Sequence, residues 1–333
     1  MDIDPSLPDT WLIADVGGSN ARFGWLPAIG GKVLHTRTLA VTEFPSLADA
    51  AKAYLTQLAD ILSDNYQPPR GAAIAVATVV TGDQIDFTNS NWAFSRAQLQ
   101  RDLGLGALLV LNDFEALALS LPELNATQLR GLQDTIPAPH GTLAVIGPGT
   151  GLGVAGVVET RHGWVVLPSE GGHATLSAYN DFESELLAAV RKDYPHVSAE
   201  RMLSGIGLPV LHGALTTVLG KAPQPLTTER IVEYGLAGSD PVCIQTLNVF
   251  CAMLGSFAGN VALTLGARGG VYIGGGIVPR LGDFFVASSF RERFEAKGRF
   301  RNYLEPIPTI VITDTLAALT GAASAIKQHL HST

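Results

Sequence analysis

Apolar and polar positions alternate along the chain in blocks that predict strands and helices in turn. WLIADVGG and ARFGWLPA are apolar runs on either side of a glycine-bearing turn, which is typical of a β-hairpin. GAAIAVATVV and ALLVL are short continuous apolar runs, which favour buried strands. SLADAAKAYLTQLADIL and SRAQLQRDL have helical spacing, and the first begins with a Ser that can cap a helix. The pattern therefore predicts an α/β protein.

The pattern starts again in the middle of the chain. GTLAVIGPGTGLGVAGVVE repeats the plan of WLIADVGGSNARFGWL, which is an apolar strand, a glycine-rich polar turn and a second strand. This weak internal symmetry predicts two α/β halves that each open with such a hairpin. We place a smaller domain at residues 1–122 plus 314–333 and a larger one at residues 123–313. The last helix, in TLAALTGAASAIKQHL, is expected to be capped by Asp314 or Thr315.

One long uncharged segment tests whether the chain crosses a membrane. No residue from Pro241 to Ala267 carries a formal charge, and apolar residues recur there at three- and four-residue steps. Polar residues such as Asn248 and Asn260 interrupt the segment. This is the pattern of a helix packed inside a protein, and a membrane span would need about 20 mostly apolar residues. We expect a core helix and no membrane contact.

Composition narrows the class of protein further. The chain has 333 residues, of which 47% are hydrophobic and 16% charged, so it can bury a sizeable core. Its net charge of -8 and its lack of a basic cluster disfavour a nucleic-acid partner. Cys243 and Cys251 have no CxxC spacing, so buried thiols are expected rather than disulfides or a zinc site. The opening MDIDPSLPDT lacks the basic and apolar regions of a signal peptide, which predicts a cytoplasmic location.

Three glycine-rich segments are candidates for binding a nucleotide. They are DVGGSN at residues 15–20, GPGTGLG at 147–153 and GGG at 274–276, the last before a helix expected to start after Pro279. Glycines let backbone N–H groups approach phosphate oxygens, and three in a row leave room for a base or ribose. Each segment is also compatible with an ordinary turn. Asp15, at a strand end, is a candidate to hold Mg²⁺ through water.

Asn112 and Asp113 end the apolar run ALLVL where a helix begins. The carboxyl end of such a strand opens into the crevice where α/β proteins bind ligands, and an Asp there can accept a proton from a substrate hydroxyl. Asn and Asp are also leading helix caps, although capping alone needs only one of them. By itself the pair favours capping, and both readings stay open.

Other polar groups suggest a sugar site. Glu170 and His173 flank two glycines, and Asn89 and Trp92 in FTNSNW offer an amide and an aromatic ring. Glu200 is expected one helix turn after His196. A sugar needs paired donors and acceptors on a preformed frame. The alternatives are a polar loop with an incidental His, core packing for Trp92 and a solvated helix face for Glu200.

Together these motifs resemble the bacterial glucokinase family, within the hexokinase–actin–chaperone ATPase superfamily, over almost the whole chain. DVGGSNARFG is similar to the family's first phosphate loop, GPGTGLG to the second and GGG to the adenosine loop. LNDFEA, SEGGH and SAERMLSG are similar to its three sugar-binding segments. Ser19 stands where the family usually has Thr, which keeps the hydroxyl. The cysteine-rich zinc motif of the neighbouring repressor–sugar kinase family is absent.

The resemblance implies a two-domain actin-like ATPase (ribonuclease-H-like) fold with a cleft between the domains. It implies ATP-dependent phosphorylation of glucose at its 6-hydroxyl for glycolysis, with ATP and Mg²⁺ as cofactors, Asp113 as general base and a homodimer as the assembly. The implied sugar-binding residues are Asn89, Asn112, Asp113, Glu170, His173 and Glu200. The implied ATP-binding residues are Ala14, Asp15, Val16, Gly17, Gly18, Ser19, Asn20, Arg22, Gly149, Thr150, Gly151, Gly274, Gly275 and Gly276. The alternatives are a hexokinase for mannose or glucosamine and an actin-like ATPase module without sugar kinase activity.

Overall fold

The computed structural model describes residues 9–87, 90–133, 136–222 and 224–331. Asn89 lies outside the described residues. So do residues 1–8, which make up most of the N-terminal segment MDIDPSLPDT discussed above. The strands are β1 Trp11–Val16, β2 Asn20–Leu26, β3 Leu34–Ala40, β4 Gly71–Val76, β5 Gln84–Asp86, β6 Ala93–Ser95, β7 Ala107–Asn112, β8 Leu129–Gly131, β9 Thr142–Pro148, β10 Leu152–Thr160, β11 Gly163–Leu167, β12 Gly270–Ile273 and β13 Thr309–Ile312. The helices are α1 Leu47–Leu62, α2 Arg96–Asp102, α3 Asp113–Ser120, α4 Asp181–Val190, α5 Gly207–Val218, α6 Thr228–Ala237, α7 Pro241–Leu265, α8 Ile277–Leu281, α9 Asp283–Val286, α10 Phe290–Glu295, α11 Arg301–Leu304 and α12 Ala317–His331.

The described residues divide into two compact units. The first contains the chain up to Leu124, the short piece His162–Trp164 and the chain from Thr315 onward. The second contains Asn125–Arg161 and Val165–Asp314. Each unit has its own large apolar core.

The first unit is built on a five-stranded sheet in the order β3-β2-β1-β4-β7. β1 pairs antiparallel with β2, as the hairpin pattern predicts, and parallel with β4, which in turn pairs parallel with β7. β1 and β4 are buried at every position, as the apolar runs predict. The prediction of a buried strand for ALLVL is wrong at most positions, because β7 lies at the edge of the sheet and only Leu111 in it is buried. Ser46 caps α1 by accepting a hydrogen bond from the Asp49 N–H (3.2 Å), which confirms the predicted start of that helix.

The second unit has a six-stranded sheet in the order β11-β10-β9-β12-β13-β8. β9 and β10 form the second predicted hairpin, and β12 pairs parallel with both β9 and β13. The first five strands therefore repeat the strand order of the first unit, and β8 adds an antiparallel edge. The internal symmetry seen in the sequence corresponds to two sheets of the same plan.

The uncharged segment forms the 25-residue helix α7 in the core of the second unit. Among the described residues it is the one helix long and apolar enough to cross a membrane, and 72% of its most apolar window is buried inside the protein. Both cysteines on it are free and buried, and burial raises the pKa of Cys243 to about 11 and of Cys251 to about 12. The thiols are therefore poor nucleophiles and poor metal ligands.

One predicted helix start is wrong. α8 begins at Ile277, before Pro279 rather than after it. Pro279 falls in the first turn, where backbone N–H groups have no partner within the helix and proline is tolerated. α12 begins at Ala317, and its cap at Asp314 or Thr315 stays a prediction. The Asp314 carboxylate also accepts a hydrogen bond from the Gln128 side chain.

Candidate active site

In the first unit, the first glycine loop and the Asn112-Asp113 pair lie along one edge of the sheet. Val16 is in register with Val76, and Val76 with Asn112, so the carboxyl ends of three parallel strands stand side by side. The loop follows the first of these strands and α3 follows the third. This is the edge at which open α/β sheets bind ligands.

The first loop is a tight turn with polar side chains at its mouth. The Gly17 N–H donates to the Asn20 carbonyl (2.9 Å), and Ser19 and Asn20 are exposed. Gly18 is half-buried. Ala14 and Val16 are fully buried in the core, so their side chains support the strand and present nothing to a ligand.

Asp15 and Arg22 face each other across the hairpin. Arg22 Nη1 donates to Asp15 Oδ2 at 2.9 Å, and the two residues are register partners on β1 and β2. Burial raises the pKa of the Asp15 carboxyl, and the Arg22 charge and hydrogen bond oppose that rise. Arg22 therefore helps to keep a largely buried carboxylate ionised at the end of the strand.

The structure assigns the cap of α3 to Asn112. Its Oδ1 accepts a hydrogen bond from the Phe114 N–H (2.8 Å), and its Nδ2 donates to the Thr78 carbonyl (3.2 Å). Asp113 is the first residue of the helix, and its Oδ1 also accepts from the Phe114 N–H (2.9 Å). Capping therefore accounts for Asn112, and Asp113 shares the Phe114 N–H with it.

Trp92 belongs to the core of the first unit. It is 4% exposed, and its Nε1 donates to the Phe44 carbonyl (3.1 Å). Core packing, the alternative named above for this ring, is therefore correct.

In the second unit, the loop at residues 149–151 closes the β9–β10 hairpin. The Gly149 N–H donates to the Gly151 carbonyl (2.9 Å), and Thr150 is exposed at the tip. A side chain at Gly149 would enter open space. A Cβ at Gly151 would collide with Oε2 of Glu200.

The three glycines at residues 274–276 follow β12 at the same edge of the sheet as this loop. The Gly274 N–H donates to the Ile146 carbonyl on β9 (2.8 Å). Gly275 has a φ of +76°, and a Cβ there would collide with the Pro148 carbonyl. Gly276 is exposed, and a side chain on it would meet nothing within 4 Å. Gly275 is thus required by packing and backbone conformation, and Gly276 leaves open space above the chain.

Glu170, His173 and Glu200 converge in the second unit. His173 Nε2 lies 3.9 Å from Glu170 Oε2, and His173 Nδ1 lies 3.8 Å from Glu200 Oε1. Both distances are longer than a hydrogen bond, so these contacts leave the two carboxylates and the ring able to bond to the hydroxyls of a ligand. Glu170 and His173 have mostly exposed side chains, whereas the Glu200 side chain is 22% exposed.

The predicted surroundings of Glu200 are wrong. Residues 198–203 form a bridge, a bend and turns rather than a helix, and the His196 ring contacts Thr175 Oγ1 at 3.1 Å. Glu200 faces inward because its Oε2 accepts a hydrogen bond from the Leu152 N–H (2.9 Å). It is therefore not on a solvated helix face.

Sequence reasoning missed the backbone that supports these groups. The Gly205 N–H donates to the Gly149 carbonyl (2.7 Å) and the Ile206 N–H to the Thr150 carbonyl (3.3 Å). A Cβ at Gly205 would lie 2.9 Å from that Gly149 carbonyl oxygen. The glycine in MLSGIG was the available signal, because a glycine without a turn function often marks a close backbone approach.

The donor set fits a magnesium ion held mainly by phosphates. No group of three or more His, Cys, Asp or Glu side chains able to bind a metal is found among the described residues. Asp15 offers a single carboxylate that is partly engaged by Arg22. Mg²⁺ keeps several waters and binds nucleotide phosphates through few protein ligands, so contact through water suits this residue.

Comparisons with known proteins agree over almost the whole chain. The family model described as Glucokinase matches residues 12–329. The glucokinase of Aromatoleum aromaticum is 48% identical over 319 residues, which cover 96% of this chain and 95% of that protein. The two chains are therefore similar from end to end.

Solved structures share the fold. A glucokinase from an Antarctic psychrotroph is 37% identical with a TM-score of 0.86, covering 96% of this chain and 99% of that one. A glucokinase of the ROK family from Streptomyces griseus, in complex with glucose and AMPPNP, has a TM-score of 0.60 at 18% identity, covering 96% and 99%. The predicted two-domain actin-like fold class is thereby confirmed. With the family model spanning residues 12–329 and relatives matching nearly end to end, the chain belongs to the glucokinase family.

Proposed function

We propose that this protein transfers the terminal phosphoryl group of ATP to the 6-hydroxyl of glucose, with Asp113 as the general base. Membership of the glucokinase family supports the reaction. The observation that supports sugar binding is the convergence of Glu170, His173 and Glu200. The His173 imidazole lies 3.9 Å from the Glu170 carboxylate and 3.8 Å from that of Glu200. Carboxylates accept hydrogen bonds from sugar hydroxyls, and an imidazole can donate or accept.

Asp113 accepts the proton that the 6-hydroxyl loses as its oxygen attacks phosphorus. Its position at the carboxyl edge of the parallel strands supports this role, as does the assignment of the cap to Asn112. Asn112 is then a neighbour of the sugar that fixes the start of α3. Phosphoryl transfer needs mostly positioning and charge stabilisation, so one base and a rigid frame are sufficient protein chemistry.

The nucleotide is held by the glycine loops. The loop at residues 17–20 and the loop at 149–151 offer backbone amides and the exposed hydroxyls of Ser19 and Thr150 to the phosphates. Gly276 leaves space for the adenosine. Asp15 would hold Mg²⁺ through water, and the chemistry that the ion would supply there is neutralisation of charge on the terminal phosphates.

The wider setting is proposed on the same basis. The enzyme supplies glucose 6-phosphate to glycolysis in the cytoplasm, acts as a homodimer and binds neither nucleic acid nor membrane. These statements rest on family pattern and on the acidic composition, with a net charge of -8.

A coupled assay for ADP with a panel of hexoses tests the proposal. We expect glucose to give the highest kcat/KM, with mannose and glucosamine well below it, because a missing or inverted hydroxyl leaves polar groups of the site unpaired. Higher kcat/KM for mannose or glucosamine would identify a hexokinase of other specificity. ATP hydrolysis unaffected by every sugar, together with sedimenting filaments, would identify an actin-like ATPase instead.

A further inference from the structure

The two oxygens of the Glu200 carboxylate serve different parts of the second unit. Oε2 accepts the Leu152 N–H (2.9 Å), at the point where the glycine loop becomes β10. Oε1 points to the His173 ring at 3.8 Å, on the side where the sugar is proposed to bind. A single side chain thus lies between the phosphate loop and the sugar frame.

Gly151 is glycine because of this carboxylate. Its φ is not in the left-handed region, so backbone conformation does not require glycine there. A Cβ would collide with Glu200 Oε2, the far end of a flexible side chain. An alanine at this position would therefore displace the carboxylate without breaking the surrounding backbone.

Backbone contacts join the same segments more widely. The Glu200 N–H donates to the Gly172 carbonyl (2.9 Å), next to His173, and the Gly205 N–H donates to the Gly149 carbonyl (2.7 Å). Residues 200–206 are thus bonded at one end to the sugar frame and at the other to the phosphate loop. A Cβ at Gly172 would collide with the Leu152 carbonyl, which shows how closely the two segments approach.

We propose that Glu200 is a positioning residue that couples sugar binding to the second phosphate loop, an inference that rests on the function proposed above. A sugar hydroxyl that donates to Oε1 fixes the rotation of the carboxylate and so holds Oε2 against the Leu152 N–H. The loop at residues 149–151 is then already ordered when the nucleotide arrives. The loop loses its conformational entropy once, when the first ligand binds, and the second ligand does not bear that cost again. Each ligand therefore tightens the binding of the other.

Isothermal titration with AMPPNP, a non-hydrolysable ATP analogue, tests this coupling. The affinity is measured without glucose and at glucose concentrations that saturate each protein. For the unchanged protein we expect glucose to tighten the analogue at least about 5-fold, the lower range of coupling between linked sites. In Gly151→Ala the carboxylate is displaced, and in Glu200→Gln one acceptor oxygen is lost, so the ratio should fall towards 1 in both.

Glu170→Gln is the matched control. It changes a carboxylate on the other side of His173, 3.9 Å from the Nε2 atom of that ring, so it should weaken glucose binding and keep the coupling ratio once glucose is saturating. A ratio in Gly151→Ala and Glu200→Gln equal to that of the unchanged protein would overturn the coupling. So would a ratio of 1 in the unchanged protein. If Gly151→Ala fails to fold, Glu200→Gln decides alone.

The failure of the proposed function has a different signature. If the unchanged protein binds no glucose, the proposed function is wrong and the coupling falls with it. If it binds and phosphorylates glucose but its affinity for AMPPNP is the same with and without glucose, only the proposed coupling is wrong.

Discussion

Asn112 and Asp113 are adjacent, but the structure gives the capping bond of α3 to Asn112. Asp113→Asn should therefore leave the helix and the fold in place. It should lower kcat at least about 10²-fold, the lower range for removal of a general base, because Asn cannot take the hydroxyl proton. Glucose affinity should fall much less. Steady-state kinetics and thermal unfolding measure the two effects separately.

Glu115→Gln is the matched control for this variant. Glu115 is the other acidic residue in the first turn of α3, so its substitution removes the same charge from the same helix end. It should keep kcat within a few-fold. Equal losses of kcat in the two variants, or near-normal turnover in Asp113→Asn, would show that Asp113 stabilises the start of the helix and is not the general base.

Glu170→Gln tests the sugar frame by kinetics. The change should raise the KM for glucose and spare the KM for ATP, because Glu170 lies beside His173 in the proposed sugar frame. A hydrogen bond to a charged group contributes about 1.5–3 kcal/mol, which corresponds to roughly 10–100-fold in KM. Glu185→Gln, an exposed carboxylate on α4, should change neither constant. Equal weakening of glucose and ATP would make the SEGGH segment structural.

At the residue scale, local pattern identifies which side chains are unusual but not what touches them. Glu170 and His173 are recognisable because they flank glycines, and the structure brings them to within 4 Å of each other. The hydrogen bond from Leu152 to Glu200 joins residues 48 positions apart, so no local spacing predicts it. The same holds for Gly275, where a collision with Pro148 adds to the positive φ that the turn requires.

Among the elements, α12 and α3 pack unusually closely. A Cβ at Gly321 on α12 would collide with the Ala116 carbonyl of α3. Gly321→Ala should therefore push the two helices apart and destabilise the protein by about 1–3 kcal/mol, the usual cost of overpacking. Thermal or denaturant unfolding measures this loss.

Gly213→Ala gives the opposite sign in the same experiment. Gly213 is exposed on α5, and a side chain there would meet nothing within 4 Å. Alanine in a helix is more stable than glycine by roughly 0.5–1 kcal/mol, so this variant should gain stability. A gain of stability at Gly321 would contradict the close approach of α12 to α3, and a loss at Gly213 would contradict the open space beside α5.

Asp240 links the stability of the core helix α7 to pH. The backbone N–H of Cys243 holds the pKa of this carboxyl below its ordinary 3.8, with further help from the Val242 N–H. A lowered carboxyl pKa stabilises the fold above the unfolded value, and the contribution is lost as pH falls through the folded one. Asp240→Ala should cost about 1 kcal/mol near neutral pH, as loss of a cap does. The difference in unfolding free energy between this variant and the unchanged protein should shrink below pH 3.8.

Asp240→Asn serves as the control, because Asn caps a helix as well as Asp but does not titrate. The stability of this variant relative to Asp240→Ala should be independent of pH. A gap between the unchanged protein and Asp240→Ala that stays constant through the acid range would exclude the carboxylate charge as the source.

At the element scale, the sequence predicts strands and helices well where the spacing of the apolar residues matches the buried face of the element. β1, β4 and α1 follow the expected runs because their buried faces dominate the pattern. β7 forms where expected but is only half-buried at most positions. The start of α8 was missed because Pro279 is tolerated in a first turn. Helix ends depend on single contacts, which periodicity does not contain.

In the whole molecule, both units are built around the same strand order. The order β3-β2-β1-β4-β7 in one corresponds to β11-β10-β9-β12-β13 in the other. The repeated hairpin pattern in the sequence was sufficient to predict two halves of this kind. The domain boundaries at residues 122 and 314 stay a prediction. The piece His162–Trp164 belongs to the first unit although it lies far from both boundaries in the sequence, and the local pattern does not show this.

The function proposed above predicts a motion on sugar binding. Asp113 belongs to the first unit, and Glu170, His173 and Glu200 belong to the second. In a sugar kinase, closure that occurs only when the sugar is bound excludes water from the base. We expect saturating glucose alone to reduce the radius of gyration in small-angle scattering. We also expect ATP hydrolysis without sugar to be very slow compared with turnover. Asp113→Asn should still compact with glucose, because it removes the chemistry and retains most of the binding. An unchanged radius of gyration, together with sugar-free hydrolysis as fast as turnover, would show that the site does not assemble by closure.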